Sequence, residues 1–413
     1  MHQSHNHCSN SKNVKMERSG EQEIRDLSID KAEYPESLVN AAVEYELPFA
    51  LYRLPGDEDK IYFQMSLQSL ELLERVQLEE LDKGFLFSKF DGEKYYLKAD
   101  LCWNSREQRV ILSQSSANKD KLDEILEFIQ KHRSFNGGLH KLPSGRQEKA
   151  DETFLDLVRD GVKQIENGLF EKIVPSRAHL LPEVNDSTCI ESFNRLCNSY
   201  PNAFVSLFSA EETGSWLGAT PELLVQTEDN KDFRTVALAG TQPFEGQDLR
   251  TVAWTQKEIE EQAMVSRYII NCFKKIRLRE FEEHGPRTVI AGNLVHLKTS
   301  FSVDMEATNF PQLGSVMLEL LHPTSAVCGM PLEQSLNFLK ENEELDRRFY
   351  SGFLGPVNVA DNTSIFVNLR CLEYTEDGAK LYAGAGVTID SIPESELEET
   401  ELKFDTLRKI ILK

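Results

Sequence analysis

Residues 203–240 carry four apolar runs, AFVSLFS, GSWLGA, ELLVQT and FRTVALAG, separated by only a few residues each. Runs of this length, rich in aromatic and branched side chains and bounded by turn residues, read as strands. Gaps so short leave no room for the crossover that a parallel pair needs, so neighbouring strands should run antiparallel. The same pattern appears upstream in PFALYRLP, KIYFQMS, GFLFSKF and KYYLKAD, and downstream in SGFLGPVNV, TSIFVNLRCLEY and KLYAGAGVT. A further run, EKIVPSR, contains Pro175 and belongs at a sheet edge or a bulge. Amphipathic helices lie between these runs. Leu122, Ile125, Leu126 and Ile129 share one helical face, and Phe154, Leu157, Val158, Val162, Ile165 and Leu169 share another. Helices are also expected over about 255–281, 311–321 and 331–342, and from about 393 to the end. Helices packed on antiparallel sheet make an α+β fold. No internal repeat is visible.

The 413 residues allow one large unit or two to three domains. Residues 1–22 are polar and expected to be a disordered tail, and residues 133–150 a long exposed connection. His2, His5, His7 and Cys8 in the tail could hold a metal, but adventitious binding is the simpler expectation. Residues 23–150 read as a mixed α and β part without evident chemistry, and 151–413 as the remainder of the fold. The formal charge of −22 opposes binding to nucleic acid or an anionic membrane. No run reaches the roughly 18 apolar residues of a spanning helix, and the first 25 residues lack the core of a signal peptide. The seven Cys are scattered without a CxxC pair, so reduced thiols and a cytoplasmic location are expected.

The chemistry-bearing pattern is a set of carboxylates on helix faces that also carry the core stripe. In the long helix, Val265, Tyr268, Ile269, Cys272 and Ile276 form that stripe, and Glu258 and Glu261 fall on it while Glu260 faces away. A carboxylate there is costly unless a cation compensates it. Taken alone, this is better explained by a first turn that protrudes into solvent, where Glu also suits the helix dipole. The closing helix repeats the pattern. Leu397, Phe404, Leu407 and Ile411 form its apolar side, with Glu396 within it, Glu399 on its flank and Lys403 beside Glu396. Ser391 and Glu394 fit a capping box that would define the first turn. Four Glu without nearby Cys or His is a hard-ligand set that suits Mg²⁺. Just upstream, Gly384 and Gly386 in LYAGAGVT would let an anion approach backbone N–H groups, or mark a β-bulge.

These residues, in this order, resemble the chorismate-utilising enzymes over about residues 168–413. The blocks that carry the likeness are EKIVPSR, GATPELLV, ALAGT, KEIEEQ, HLKTSF, LHPTSAVCGMP, DRRFYSGFLGPV, VNLRC, AGAGV and PESELEETELK. The resemblance implies two stacked, mainly antiparallel sheets flanked by helices, a variable N-terminal part over 23–150 and a chorismate-binding catalytic region over 151–413. It further implies Mg²⁺ and addition of water or ammonia to the chorismate ring. Lys172 matches the water-activating base of isochorismate and salicylate synthases, where ammonia-using anthranilate synthases carry Gln. Ala239 stands where aminodeoxychorismate synthases carry a nucleophilic Lys, and Ala326 where salicylate synthases tend to have Thr. Together these match the isochorismate synthase branch, serving menaquinone or a catechol siderophore. The chain departs from the family pattern at Gln262, Lys298 and Asp346, where His, Arg and Glu are usual.

By resemblance, then, Lys172 is the base and Glu222 in GATPELL the acid. Glu261 and Glu399 would hold Mg²⁺, with Glu258 and Glu396 acting mainly through waters. Arg370 would pair with the enolpyruvyl carboxylate, for which a planar fork suits. Tyr350, Thr241, Ala326, Lys403 and the N–H groups of Gly384 and Gly386 would complete the substrate site, and His296 would line the ring near C4. The mechanism sets a condition on both catalytic groups. Lys172 must be partly neutral and Glu222 partly protonated near pH 7, and burial pushes each that way. The expected partner is chorismate alone, with no amidotransferase subunit and a monomeric enzyme. The competing readings are a salicylate synthase, an anthranilate-type component and an inactive chorismate-binding partner.

Overall fold

The computed structural model describes residues 22–25, 34–113, 119–132, 134–143, 150–244, 246–291 and 294–413. The His-rich cluster His2, His5, His7 and Cys8 lies outside the described residues, as does all of the expected tail except Gln22. Within the described residues the strands assemble two large antiparallel sheets. The first runs, edge to edge, through Gln22–Arg25, Val110–Ser113, Leu101–Asn104, Tyr62–Met65, Phe49–Arg53, Phe204–Ala210, Gly214–Thr220, Cys371–Thr375, Gly378–Gly384 and Ser176–Leu181. The second runs through Glu282–Ala291, Leu294–Asp304, Asp232–Pro243, Leu223–Glu228, Asn362–Val367, Phe353–Val357, Gly84–Ser88, Lys94–Lys98 and Glu71–Leu73. Residues from the N-terminal third pair directly with later ones in both sheets: Leu51 lies opposite Leu207, and Leu86 opposite Gly355.

The sheets face one another across an aromatic layer. Phe204 of the first sheet stacks on Phe366 of the second at 4.3 Å, and Phe208 meets Phe87 at 4.6 Å. Helices cover the outer faces. Tyr34–Glu44, Lys119–Lys131, Cys189–Ser199 and the closing helix Pro393–Ile411 share a core with the first sheet. Ala150–Glu166, the long helix Gln256–Lys275, Leu313–Leu321 and Leu332–Asn342 share one with the second. The α+β architecture of two stacked sheets flanked by helices is therefore as expected. Among the described residues no helix is long and apolar enough to cross a membrane. The six described cysteines are all free thiols.

Several local expectations need correction. The closing helix has no Ser391–Glu394 capping box: Pro393 occupies the first turn, Ile392 is the cap residue, and the Ser391 hydroxyl instead accepts from the Thr388 N–H at 3.0 Å. Proline at that position supplies the helix entry through its fixed φ and missing donor, so a hydroxyl cap is not needed. The long helix stops at Lys275, where Arg277 turns into the left-handed region at φ 60°. The helix over Ala150–Glu166 ends before Leu169, which is exposed. The connection after residue 133 is not simply exposed, because Phe135 and Leu139 are buried and the Asp186 carboxylate accepts from the N–H groups of Gly138 and Leu139 at 2.8 Å each. Pro175 splits its run in two. Ser176–Leu181 becomes an edge strand, and Lys172–Ile173 leaves the large sheet to pair with Gly329–Met330.

Candidate active site

Where the ends of both sheets meet the N-terminal halves of the long and closing helices, a solvent-open cleft forms. Its wall includes Glu222, Thr241, Glu261, His296, Ala326, Tyr350, Arg370, Gly384, Gly386, Glu399 and Lys403. These residues come from nine separate stretches of chain between 222 and 403, so only the tertiary fold brings them together. Lys172 lies just behind this surface, in contact with Glu261. Glu258 and Glu396 are not brought to the wall.

One side of the cleft is ionic. Lys172 is buried and its Nζ donates to Glu261 Oε1 at 2.5 Å. Burial by itself would raise the Glu261 pKa, but Lys172, Lys403 and Lys257 outweigh it and hold the carboxyl below its ordinary range. Lys403 reaches both Glu399 Oε1 and the Gly384 carbonyl at 2.7 Å. The glycines make room for this cluster. A Cβ on Gly386 would stand 2.5 Å from Glu261 Oε1 and 3.1 Å from Lys172 Cε. On Gly384 it would stand 2.7 Å from Ser176 Oγ and 3.2 Å from the Tyr350 hydroxyl.

The other side is desolvated. Glu222 follows the strand Gly214–Thr220 and is 7% exposed. Burial raises its pKa to about 7, against the smaller opposing pull of Lys172, Arg370 and Lys403. His296 Nδ1 lies 2.8 Å from the Gly240 carbonyl, which fixes that nitrogen as the donor and leaves Nε2 an acceptor. Burial, with Arg370 assisting, lowers the His296 pKa to about 3, so the ring is neutral at neutral pH. Thr241 Oγ1 sits 3.3 Å from the same Nδ1, within the irregular stretch between Ala239 and Gln242 of the strand Asp232–Pro243. Arg370 holds a left-handed backbone, φ 48°, between two strands. A bulky residue is held there only by its surroundings, and such strain concentrates at functional sites.

The four carboxylates have separate partners. Glu258 closes a capping box with Thr255 at the start of the long helix and also accepts from Gln242 Nε2 at 2.8 Å. Glu396 is buried and accepts from Lys257 Nζ at 2.6 Å, tying the closing helix to the long one. Glu261 and Glu399 alone of the four face the cleft. Among the described residues no three acidic, His or Cys groups converge into a ready metal cage. Two cleft-facing carboxylates nevertheless fit Mg²⁺ in kind, since that ion takes one or two protein carboxylates and fills its remaining positions with water and substrate oxygen.

Further residues enter the site that the sequence did not single out. Tyr382 lines the cleft, stacks on Tyr350 at 5.4 Å, and donates to the buried Glu373 at 2.7 Å. Strand alternation with Gly384 was the available signal. Arg347 donates to the carbonyls of Val174 at 2.6 Å and Val327 at 2.8 Å, joining two wall segments from behind. It also pairs with the Glu343 carboxylate four residues upstream, a spacing visible in the sequence, whereas its backbone partners lie too far away in the chain to be marked.

The fold and cleft define a two-sheet α+β protein with a small-molecule pocket whose polar groups are mostly ionisable. Comparison with known proteins sharpens this. Residues 85–412 match the family model for the chorismate binding enzyme, and the chain belongs to that family. It is similar to the vibriobactin-specific isochorismate synthase of Vibrio cholerae, at 28% identity over 84% of both chains. It is also similar to isochorismate synthase DhbC of Bacillus subtilis, at 31% identity over 62% of this chain and 67% of that one. In fold it matches MenF, the menaquinone-specific isochorismate synthase from Escherichia coli, with a TM-score of 0.73, 21% identity and 94% coverage of both chains.

Proposed function

We propose that the protein is an isochorismate synthase that moves the chorismate hydroxyl from C4 to C2. The observation that carries this reading is Glu222, a buried carboxyl poised near pH 7 that shares one cleft with Arg370, Lys403 and the Lys172–Glu261 pair. The named relatives that are isochorismate synthases support the same branch.

In this reaction a water O–H bond breaks as its oxygen bonds to C2. The two ring double bonds shift, and the C4–O bond breaks with release of water. Lys172 takes the proton from the incoming water, and protonated Glu222 gives one to the departing hydroxyl. Lys172 donates to Glu261 here, so to act as base its Nζ must first give up a proton and leave that contact, and only the neutral amine then takes the proton from water. Arg370 holds the enolpyruvyl carboxylate in a two-pronged contact. Lys403 and the Gly384 and Gly386 segment orient the ring carboxylate, while neutral His296 offers Nε2 to a ring hydroxyl. Glu261 and Glu399 would hold Mg²⁺, which when bound supplies positive charge at the ring carboxylate.

The deciding experiment incubates the purified protein with chorismate, with and without Mg²⁺, and identifies products by liquid chromatography and mass spectrometry. A Mg²⁺-dependent mixture of chorismate and isochorismate, equal in mass and separable, supports the proposal. Salicylate plus pyruvate moves the chain to the salicylate synthase branch and overturns the argument from Ala326. A product formed only with ammonia makes it an anthranilate-type component, and no product from folded protein leaves a binding role.

A further inference from the structure

The chain carries 46 basic and 68 acidic side chains, so a surface cation ordinarily finds an acid nearby. Lys298 and Arg287 do not. They stand directly opposite one another on the adjacent strands Leu294–Asp304 and Glu282–Ala291. Among the described residues neither side chain has an ion pair or hydrogen bond, and burial together with the neighbouring Arg287 charge lowers the Lys298 pKa. Glu282, at the start of the same strand as Arg287, is turned to His284 at 3.3 Å. Like charges placed opposite in a sheet are destabilising, so this pairing works against the fold.

Its place gives it a use. Lys298 follows His296 by two residues on one strand, so both project from the same sheet face, about 7 Å apart along the chain. On its other side Lys298 pairs with Leu238, and Leu238 and His296 both line the cleft. Lys298 is half-buried and Arg287 exposed, so the two extend from the cleft wall outward to solvent. We infer that Lys298 and Arg287 form an anion-collecting ridge beside the cleft, drawing the dianionic substrate past the acidic surface toward Arg370 and Lys403. This rests on the proposed reaction for the identity of the anion, a small dicarboxylate. Lys298 and Arg287 touch no reacting atom. They raise the encounter rate and the local substrate concentration, and mobile ions screen that effect.

The test compares wild type with Lys298→Gln/Arg287→Gln and with the exposed single change Arg287→Glu. Steady-state rates on chorismate are measured at about 20 mM and about 500 mM ionic strength, where the screening length falls from about 20 Å to about 4 Å. The expected result is unchanged kcat in both variants, kcat/KM about 3- to 10-fold lower at low salt, and convergence with wild type at high salt. Equal salt dependence in wild type and variants, or a loss confined to kcat, overturns the inference and leaves the reaction standing. Calorimetric titration with chorismate separates the two ideas. If wild type makes no isochorismate yet binds chorismate with a salt-dependent affinity that the double variant lacks, the ridge stands without the reaction.

Discussion

Two glutamates in one cleft are set in opposite charge states. Glu222 lies at a strand end where burial dominates, and its carboxyl titrates near 7. Glu261 lies on the long helix against Lys172, and its carboxyl is held below the ordinary range although burial alone would raise it. Both share Lys172 and Lys403 as neighbours. The difference is contact: Lys172 bonds Glu261 directly and acts on Glu222 only through space. One lysine can therefore leave one acid partly protonated at neutral pH while holding another ionised.

Removing that lysine breaks the comparison outright. Lys172→Gln takes away the proposed base and the partner of Glu261 together. Turnover is expected to fall by roughly 10²-fold or more, the usual scale for losing a general base. Rates close to wild type would end the assignment. Glu261→Ala is expected to lose activity together with its Mg²⁺ dependence, read from a metal titration of the rate. A variant that stays active and indifferent to metal contradicts the ligand role.

Glu222→Gln breaks the other half, with an opposite sign in stability. Turnover should again fall by about 10²-fold. In wild type, kcat/KM should decline above about pH 7 as Glu222 ionises, and the variant should lack that limb. The folded carboxyl titrates near 7, above the 4.5 of an exposed one, so between these values the folded chain keeps a proton that the unfolded chain has lost. Stability then decreases as pH rises through this window, by on the order of 3 kcal/mol in full. Glu222→Gln removes the penalty. Denaturant melts should show it more stable than wild type at pH 8 and little changed at pH 4.5.

How far the sequence disclosed this site depends on the range of the interactions. The apolar stripes located the helices, because a helix face is local. Which residues share a cleft followed from the family resemblance, which placed Glu222, Arg370 and Lys403 in one site although they are far apart in the chain. Charge partners were not legible. Glu258 in the first turn of a helix reads alike as a ligand and as a capping-box acid, and here Thr255 holds it as the latter. Glu396 reads as a water-mediated ligand, yet Lys257 from another helix already bonds it. The joining of the N-terminal strands into both sheets was equally hidden, because pairings such as Leu51 with Leu207 depend on neither local pattern nor spacing.

A smaller change perturbs the ionic half without removing any of its groups. In Gly386→Ala the new methyl would meet the Glu261 carboxylate and the Lys172 stem. Both are flexible ends, so the fold should yield at little cost, with thermal melting within a few degrees of wild type. The contact between the two side chains should loosen. Turnover about 10-fold lower is expected, since small misplacements of catalytic groups are expensive. Wild-type rates would mean that the close packing at Gly386 has no bearing on catalysis.

The smallest effect belongs to Thr241, and it sharpens the contrast between the halves. His296 sits on the desolvated side, where burial holds the ring neutral and the Gly240 carbonyl fixes its tautomer. Neither control depends on a side chain at position 241. The Thr241 hydroxyl at 3.3 Å is a longer, secondary contact to the same nitrogen. Thr241→Val should therefore change kcat by less than about 3-fold, as for a weak neutral hydrogen bond. His296→Gln should lower the rate further, yet both variants should keep the alkaline limb near pH 7, because that limb belongs to Glu222. If either substitution moved the limb, the ring and not the carboxyl would be setting the proton inventory of this side of the cleft. The division of the site into a desolvated acid and an ion-paired acid would then fail.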